Sequence, residues 1–346
     1  MHGGDIYFTS EKLLDFSANI NPFGVPESVI KAIQHALPDL ARYPDSSQRK
    51  LRQQLANYYQ IQANQIVCGN GGADVLFRTI QAIQPKNALL PVPVFTEYEK
   101  ALLEQHCKIT YWHMPDLQIT ENLISELQLN NYDFLVLCNP NNPTGSCISQ
   151  ELLLKILNFA KLKNIFVLLD ECFFDMTSLT SEQDSMIQKF SNFPNLLILK
   201  SMTKLYALAG LRLGYGICAD NNLIEKIRNI GQPWAVNSLA SVAGCVALQD
   251  NDYKLKFLIF LIQEREFLLQ ELKKLNFKVW KPNANYIFFQ AENYLDLDKK
   301  LLNDKILIRH CDNYQGLDKS YYRIAVRQHA ENLYLLECLQ KIINNR

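Results

Sequence analysis

Leu196-Leu197-Ile198-Leu199-Lys200-Ser201-Met202-Thr203-Lys204, running on to Gly210-Leu211-Arg212-Leu213-Gly214, is the stretch that decides the fold. The apolar run 196–199 is too short for a helix and reads as a buried strand. Hydroxyl residues and a lysine follow it, then a glycine-flanked arginine and a further strand pattern at 213–218. Alone, a lysine in such a turn is a solvated residue. Its meaning depends on what else ends beside it.

Working outward, similar short runs predict strands at 65–68, 88–90, 108–112, 134–138 and 166–169. Helix-period segments lie between several of them, at 73–83, 95–105 and 150–161. Strands alternating with helices predict a mostly parallel α/β sheet covered on both faces. From residue 252 the character changes. A long helical pattern runs through 272, followed by short strands near 278–280, 287–289, 307–309 and 322–325. An amphipathic helix at 332–343 closes the chain. At 346 residues the chain is long for a single core, so two domains are expected. A large one spans 41–245 and a smaller α+β one spans 246–346. Residues 1–40, with one helix at 27–37, join the smaller.

The bulk composition excludes several classes. Lys plus Arg and Asp plus Glu each number 35, so the formal charge is zero, and no basic run offers nucleic acid or an anionic membrane a footing. Nine cysteines, an odd number with no Cys-x-x-Cys pair, fit neither a disulfide framework nor a zinc site and point to a reducing cytoplasm. No metal site is expected. The opening Met1-His2-Gly3-Gly4-Asp5 lacks the basic-then-apolar pattern of a secretory signal, and the most apolar stretch, 258–262, is too short to span a bilayer. A soluble cytoplasmic protein is expected.

In an open α/β sheet, ligands bind beyond the carboxyl ends of the strands. After 65–68 comes Gly69-Asn70-Gly71-Gly72-Ala73-Asp74, where glycines opening a helix can present N–H groups to a phosphate. Taken singly it is a tight turn. It is a poor dinucleotide fingerprint, because Asp74 holds the third glycine position and no acid lies about twenty residues on. After 134–138 comes Asn139-Pro140-Asn141-Asn142-Pro143-Thr144-Gly145, which alone is a turn. After 166–169 comes Asp170-Glu171, and a carboxylate ending a buried strand needs a partner. Together these ends supply a phosphate cradle, an amide, a carboxylate, a lysine and an arginine to one crevice. Pyridoxal phosphate (PLP) needs those parts: donors for its phosphate, a carboxylate for its pyridine nitrogen, an amine for its aldehyde. A lysine desolvated near cations has the lowered pKa that such a bond requires.

The run Ser201-Met202-Thr203-Lys204 … Gly210-Leu211-Arg212-Leu213-Gly214 resembles the lysine signature of fold-type I PLP enzymes, the aspartate-aminotransferase superfamily. Asn141-Asn142-Pro143-Thr144-Gly145 and Asp170-Glu171 match its two other hallmarks, in order. The resemblance implies a fold-type I PLP-dependent transferase whose large domain holds a mostly parallel seven-stranded sheet. It implies that Lys204 is the Schiff-base lysine and proton shuttle, that Asp170 pairs with the pyridine nitrogen, and that Asn142 bonds the ring hydroxyl. Gly71, Gly72 and Ala73, with Ser201, Thr203 and Arg212, then hold the phosphate. Phe95 stacks on the ring, where Tyr or Trp is commoner. Tyr43, in Arg42-Tyr43-Pro44-Asp45, reaches the neighbouring subunit's phosphate, which implies a homodimer. Asp170-Glu171-Cys172-Phe173 departs from the pattern by lacking the tyrosine that many aminotransferases carry at its fourth place.

Two narrower families are similar nearly end to end: histidinol-phosphate aminotransferases and the threonine-phosphate decarboxylases of cobalamin synthesis. The second is favoured by His2-Gly3-Gly4, by Asp15-Phe16-Ser17-Ala18-Asn19-Ile20-Asn21-Pro22 and by Pro233-Trp234-Ala235-Val236-Asn237. It is favoured too by Cys311-Asp312-Asn313-Tyr314-Gln315-Gly316 preceding Tyr321-Tyr322-Arg323, although Gln315 stands where that family often has Pro. That resemblance implies that Arg323 grips the substrate carboxylate, assisted by Asn142. It places His2, Gly3, Asn19 and Arg309 on the substrate-phosphate side. An isolated arginine on an edge strand is otherwise a surface residue, and a second residue is otherwise a frayed terminus. The expected reaction is decarboxylation of O-phospho-L-threonine to (R)-1-aminopropan-2-ol phosphate. O-phospho-L-serine, giving ethanolamine phosphate, differs by one methyl, worth about 1–3 kcal/mol of discrimination. The alternatives are a histidinol-phosphate-type aminotransferase and, from another class, a catalytically silent PLP-fold binding or regulatory protein.

Overall fold

The computed structural model describes residues 3–344; His2 lies outside them. Seven strands form one sheet in the spatial order Ile66–Asn70, Leu213–Cys218, Leu196–Ser201, Phe166–Asp170, Phe134–Cys138, Asn87–Val92, Lys108–His113. Every neighbouring pair is parallel except the two that Leu213–Cys218 makes. All seven runs expected from the sequence are therefore strands.

The near-continuous apolar runs are explained by burial on both faces. Along Phe134–Cys138, Leu135 and Leu137 enter one core while Phe134, Val136 and Cys138 enter the other. Side chains alternate across a strand, so covering both faces demands apolar residues at every position. Helix Gly72–Ile83 packs on one face; helices Gln150–Leu162 and Ser238–Ala247 pack on the other.

Beyond residue 250 the pattern is antiparallel. The long helix Asn251–Lys274 leads to a four-stranded sheet in the order Arg309–His310, Tyr321–Ala325, Tyr286–Gln290, Lys278–Val279. The single strand expected at 307–309 is instead two, Ile306–Leu307 and Arg309–His310, serving different sheets. Leu14–Asp15 needs a partner, and Ile306–Leu307 supplies it in a short parallel pair. The chain then turns at buried Ile308 to bring Arg309 against Arg323. The first strand also runs two residues past its expected end, because Gly69 pairs with Gly214 and the two backbones can approach closely. Among the described residues no helix is long and apolar enough to cross a membrane.

Candidate active site

The carboxyl ends of the parallel strands open onto a cavity of about 460 Å³. Its wall includes Gly72, Ala73, Asn142, Asp170, Ser201, Thr203, Lys204 and Arg212 from the large sheet, and Arg309 and Arg323 from the small one. Gly3 and Asn19 line it as well, and Phe95 lies at its side. Most of the residues singled out in the sequence thus meet in one place. Tyr43 does not. It is 81% exposed, stacked on Trp234 with ring centroids 4.7 Å apart.

At one end sits an anion cradle. Gly71 has a φ of +85° and caps the helix Gly72–Ile83, whose first N–H groups have no acceptor within the helix. A Cβ on Gly71 would lie 2.6 Å from Arg212 Nη2, so glycine is what lets the arginine come this close. A Cβ on Gly214 would strike the Gly72 nitrogen at 2.3 Å, so that glycine lets the strand pass under the helix start. Ser201 Oγ and Thr203 Oγ1 are 2.7 Å apart beside it.

Asp170 ends its strand 7% exposed. Cys172 N–H donates to its Oδ1 at 2.8 Å and the Tyr98 hydroxyl to its Oδ2 at 2.6 Å. Burial, reinforced by the Asp170 charge, pushes the Tyr98 phenol far above its usual pKa, so it stays a donor. Sequence reading missed Tyr98. The available signal was its place three residues after Phe95, inside the segment 95–105 read as a helix.

Lys204 is fixed through its backbone. Its carbonyl accepts from Asn21 N–H at 3.1 Å, and the Asn21 side chain donates to the Leu205 carbonyl at 2.7 Å. Desolvation lowers the pKa of its amine, and the Arg323 and Arg212 charges lower it further, against Cys172 and Asp170, which raise it. A desolvated amine near cations is a nucleophile at moderate pH.

At the opposite end Arg323 Nη2 donates to the Ser17 carbonyl at 2.9 Å, and Nη1 donates to Asn142 Oδ1. Arg309 donates to the His310 carbonyl at 2.8 Å and to Asn313 Oδ1 at 2.6 Å. Neither guanidinium forms a salt bridge among the described residues, although they are only 5% and 6% exposed. Arg323 Nε and Asn19 Oδ1 are buried with no hydrogen-bond partner among the described residues. Buried polar atoms rarely stay unpaired, so these are atoms that a ligand would satisfy. Among the described residues, Lys204, Arg212, Arg309 and Arg323 face only Asp170 and Asp15 around the cavity, which favours anions. The residues fit the cofactor that the resemblance implies: an open cradle and an arginine for a phosphate, a fixed carboxylate, an amide and a neutralisable amine.

Fold and site together define a class I/II aminotransferase. Residues 11–339 match the family model "Aminotransferase class I and II", and the chain belongs to that family. Within it, the chain is 38% identical to the threonine-phosphate decarboxylase of Salmonella typhimurium, across 99% of this chain and 96% of that one. Among solved structures it matches the histidinol-phosphate aminotransferase of Clostridium acetobutylicum with a TM-score of 0.90 and 32% identity, covering 96% of this chain and 100% of that one. It matches the L-threonine-O-3-phosphate decarboxylase of Porphyromonas gingivalis with a TM-score of 0.83 and 25% identity, covering 95% and 99%.

Proposed function

We propose that this chain is a PLP-dependent decarboxylase converting O-phospho-L-threonine to 1-aminopropan-2-ol phosphate in cobalamin biosynthesis. One observation carries the geometric side of this reading: two buried guanidiniums with no carboxylate partner among the described residues, Arg309 and Arg323, share the substrate end of the pocket. The substrate has two anionic ends, a carboxylate and a phosphate, and arginine binds either in a bidentate manner. The likeness to the Salmonella enzyme over nearly the whole chain points the same way.

Bound PLP supplies a conjugated ring into which the electron pair of a breaking α-carbon bond can spread. In this reading the Gly71–Gly72–Ala73 turn, Ser201, Thr203 and Arg212 hold its phosphate, and Phe95 lies on the ring face. Asp170, kept in place by Tyr98, holds a proton on the pyridine nitrogen. Asn142 would meet the ring hydroxyl, and Lys204 would be the amine that anchors the aldehyde. Arg323 would grip the substrate carboxylate and so select which bond of the α-carbon is broken. Arg309, Asn19 and Gly3 receive the phosphate end, with His2 added from outside the described residues. Lys204 Nζ, released when the substrate's own amine takes its place, would be the group that returns a proton to the α-carbon after CO2 has left.

The reading extends to the assembly. A homodimer would cover the exposed Tyr43–Trp234 stack and carry Tyr43 to the neighbouring phosphate cradle. Nine free thiols fit a reducing cytoplasm. The division at 41 and 246 into large and small domains belongs to the same proposal.

Transamination of histidinol phosphate is the competing reading, favoured by the TM-score of 0.90 to an enzyme of that name. Histidinol phosphate carries no carboxylate, so in that reading the second arginine would serve the carboxylate of the oxo acid that accepts the amino group. The deciding experiment incubates the holoenzyme with O-phospho-L-threonine and O-phospho-L-serine and traps CO2. Stoichiometric CO2 with the amino-alcohol phosphate is expected. A keto product without CO2 would overturn the decarboxylase reading.

A further inference from the structure

Arg309 and Arg323 are direct partners across antiparallel strands. Side chains in that relation start about 4.5–5.5 Å apart at Cβ, and like charges so placed repel. Something must hold the two guanidiniums at a set separation. Tyr314 lies where it can do so. The Arg309 guanidinium stands over its ring, 5.2 Å from the centroid. Its hydroxyl reaches 3.4 Å to Asn142 Oδ1, the same oxygen that accepts from Arg323 Nη1. Asn313 Oδ1 holds Arg309 at 2.6 Å. Arg309, Tyr314, Asn142 and Arg323 thus form one continuous buried chain from one anion-binding group to the other. The ring is itself pinned, packed with Phe288 and Cys311 in a small core to which Leu117 of the facing segment adds.

We infer that Tyr314 is a specificity-determining residue. Its ring is the spacer that sets the distance between Arg309 and Arg323, and with it the number of bonds allowed between a substrate's carboxylate and its phosphate. This rests on the two-anion reading of the pocket given above. A flexible residue in place of the ring would let the guanidiniums settle at other separations. Substrate length would then be poorly discriminated.

The test is a ladder of 2-amino-ω-phosphonoalkanoic acids of three, four and five carbons, binding to the holoenzyme and read by the cofactor's absorbance change. The four-carbon member matches phosphoserine in length. The wild-type protein is expected to prefer it by about tenfold or more over either neighbour, the range that one methylene supports. In Tyr314→Ala the preference should shrink to within about threefold. Tyr314→Phe, which keeps the ring, should retain it. Tyr314→Met preserves most of the packed volume and should flatten the ladder as alanine does, so a fold too weak to study in one variant leaves the other decisive. A wild-type ladder persisting in Tyr314→Ala or Tyr314→Met, with cofactor absorbance intact, overturns the spacer alone. A wild-type protein that binds no member of the ladder overturns the two-anion reading and the spacer with it.

Discussion

Lys200 and Lys204 stand four residues apart at the end of one strand, both drawn away from water, yet they occupy opposite electrostatic settings. Lys200 is 1% exposed, with Asp175 Oδ1 at 2.6 Å and Glu171 Oε2 at 3.7 Å. Burial alone would lower its pKa, but Asp175, followed by Tyr59 and Glu171, more than reverses that and holds the amine charged. Lys204 has no carboxylate within salt-bridge reach among the described residues, and desolvation together with two arginines drives its amine toward the neutral form. The same side chain becomes a structural cation in one setting and a nucleophile in the other. Neighbours decide the difference, because desolvation lowers the pKa of both amines.

The contrast can be broken from either side. Lys204→Ala should cost the largest effect, about 10²–10⁴-fold in CO2 release or more, since it removes both the proposed covalent anchor and the proposed proton carrier. Borohydride should no longer fix the cofactor to the chain. Lys200→Met should leave the cofactor chemistry in place but destabilise the fold by about 3–5 kcal/mol, because the buried Glu171 and the half-buried Asp175 lose their counter-charge. Urea unfolding of the holoenzyme measures it, and a loss under about 1 kcal/mol would show that the pair is not structural. The mildest test is one of labelling. In cofactor-stripped protein at pH 8, pyridoxal phosphate with borohydride should mark Lys204 and spare Lys200. A lowered pKa means that the free amine is present at lower pH, so the Lys204 labelling profile should sit below that of an exposed lysine. Arg212→Met removes one of the charges lowering it, and should move the profile to higher pH.

Much of this was legible in the sequence because each strand of the large sheet is apolar at every position and ends in residues that packing cannot explain. Asp170, Asn142 and Lys204 stand out against such runs. Lys200 offered the same signal, a cation closing a buried strand, but its acids lie at Glu171 and Asp175, beyond a different strand. Pairing across strands is not written locally. Tyr98 was hidden for a related reason, since its hydroxyl finds Asp170 72 residues away. The split of 307–309 into two strands was illegible too, because it answers the demand of Leu14–Asp15 for a partner about three hundred residues earlier. Tyr314 was visible as part of a motif but not as a contact, because its place between two arginines depends on Arg309 and Arg323 being in register.

That distant pairing has a consequence for synthesis on the ribosome. Arg323 closes onto the Ser17 carbonyl across a separation of 306 positions, and Leu14 waits for Ile306. Residues 14–17 emerge early and meet these partners only when nearly the whole chain has followed them. Loops of that length close slowly. The large sheet can assemble while translation continues, whereas the substrate end of the pocket is finished only with the last strand, so a nascent chain can carry its reactive lysine before it has any means of choosing what that lysine meets.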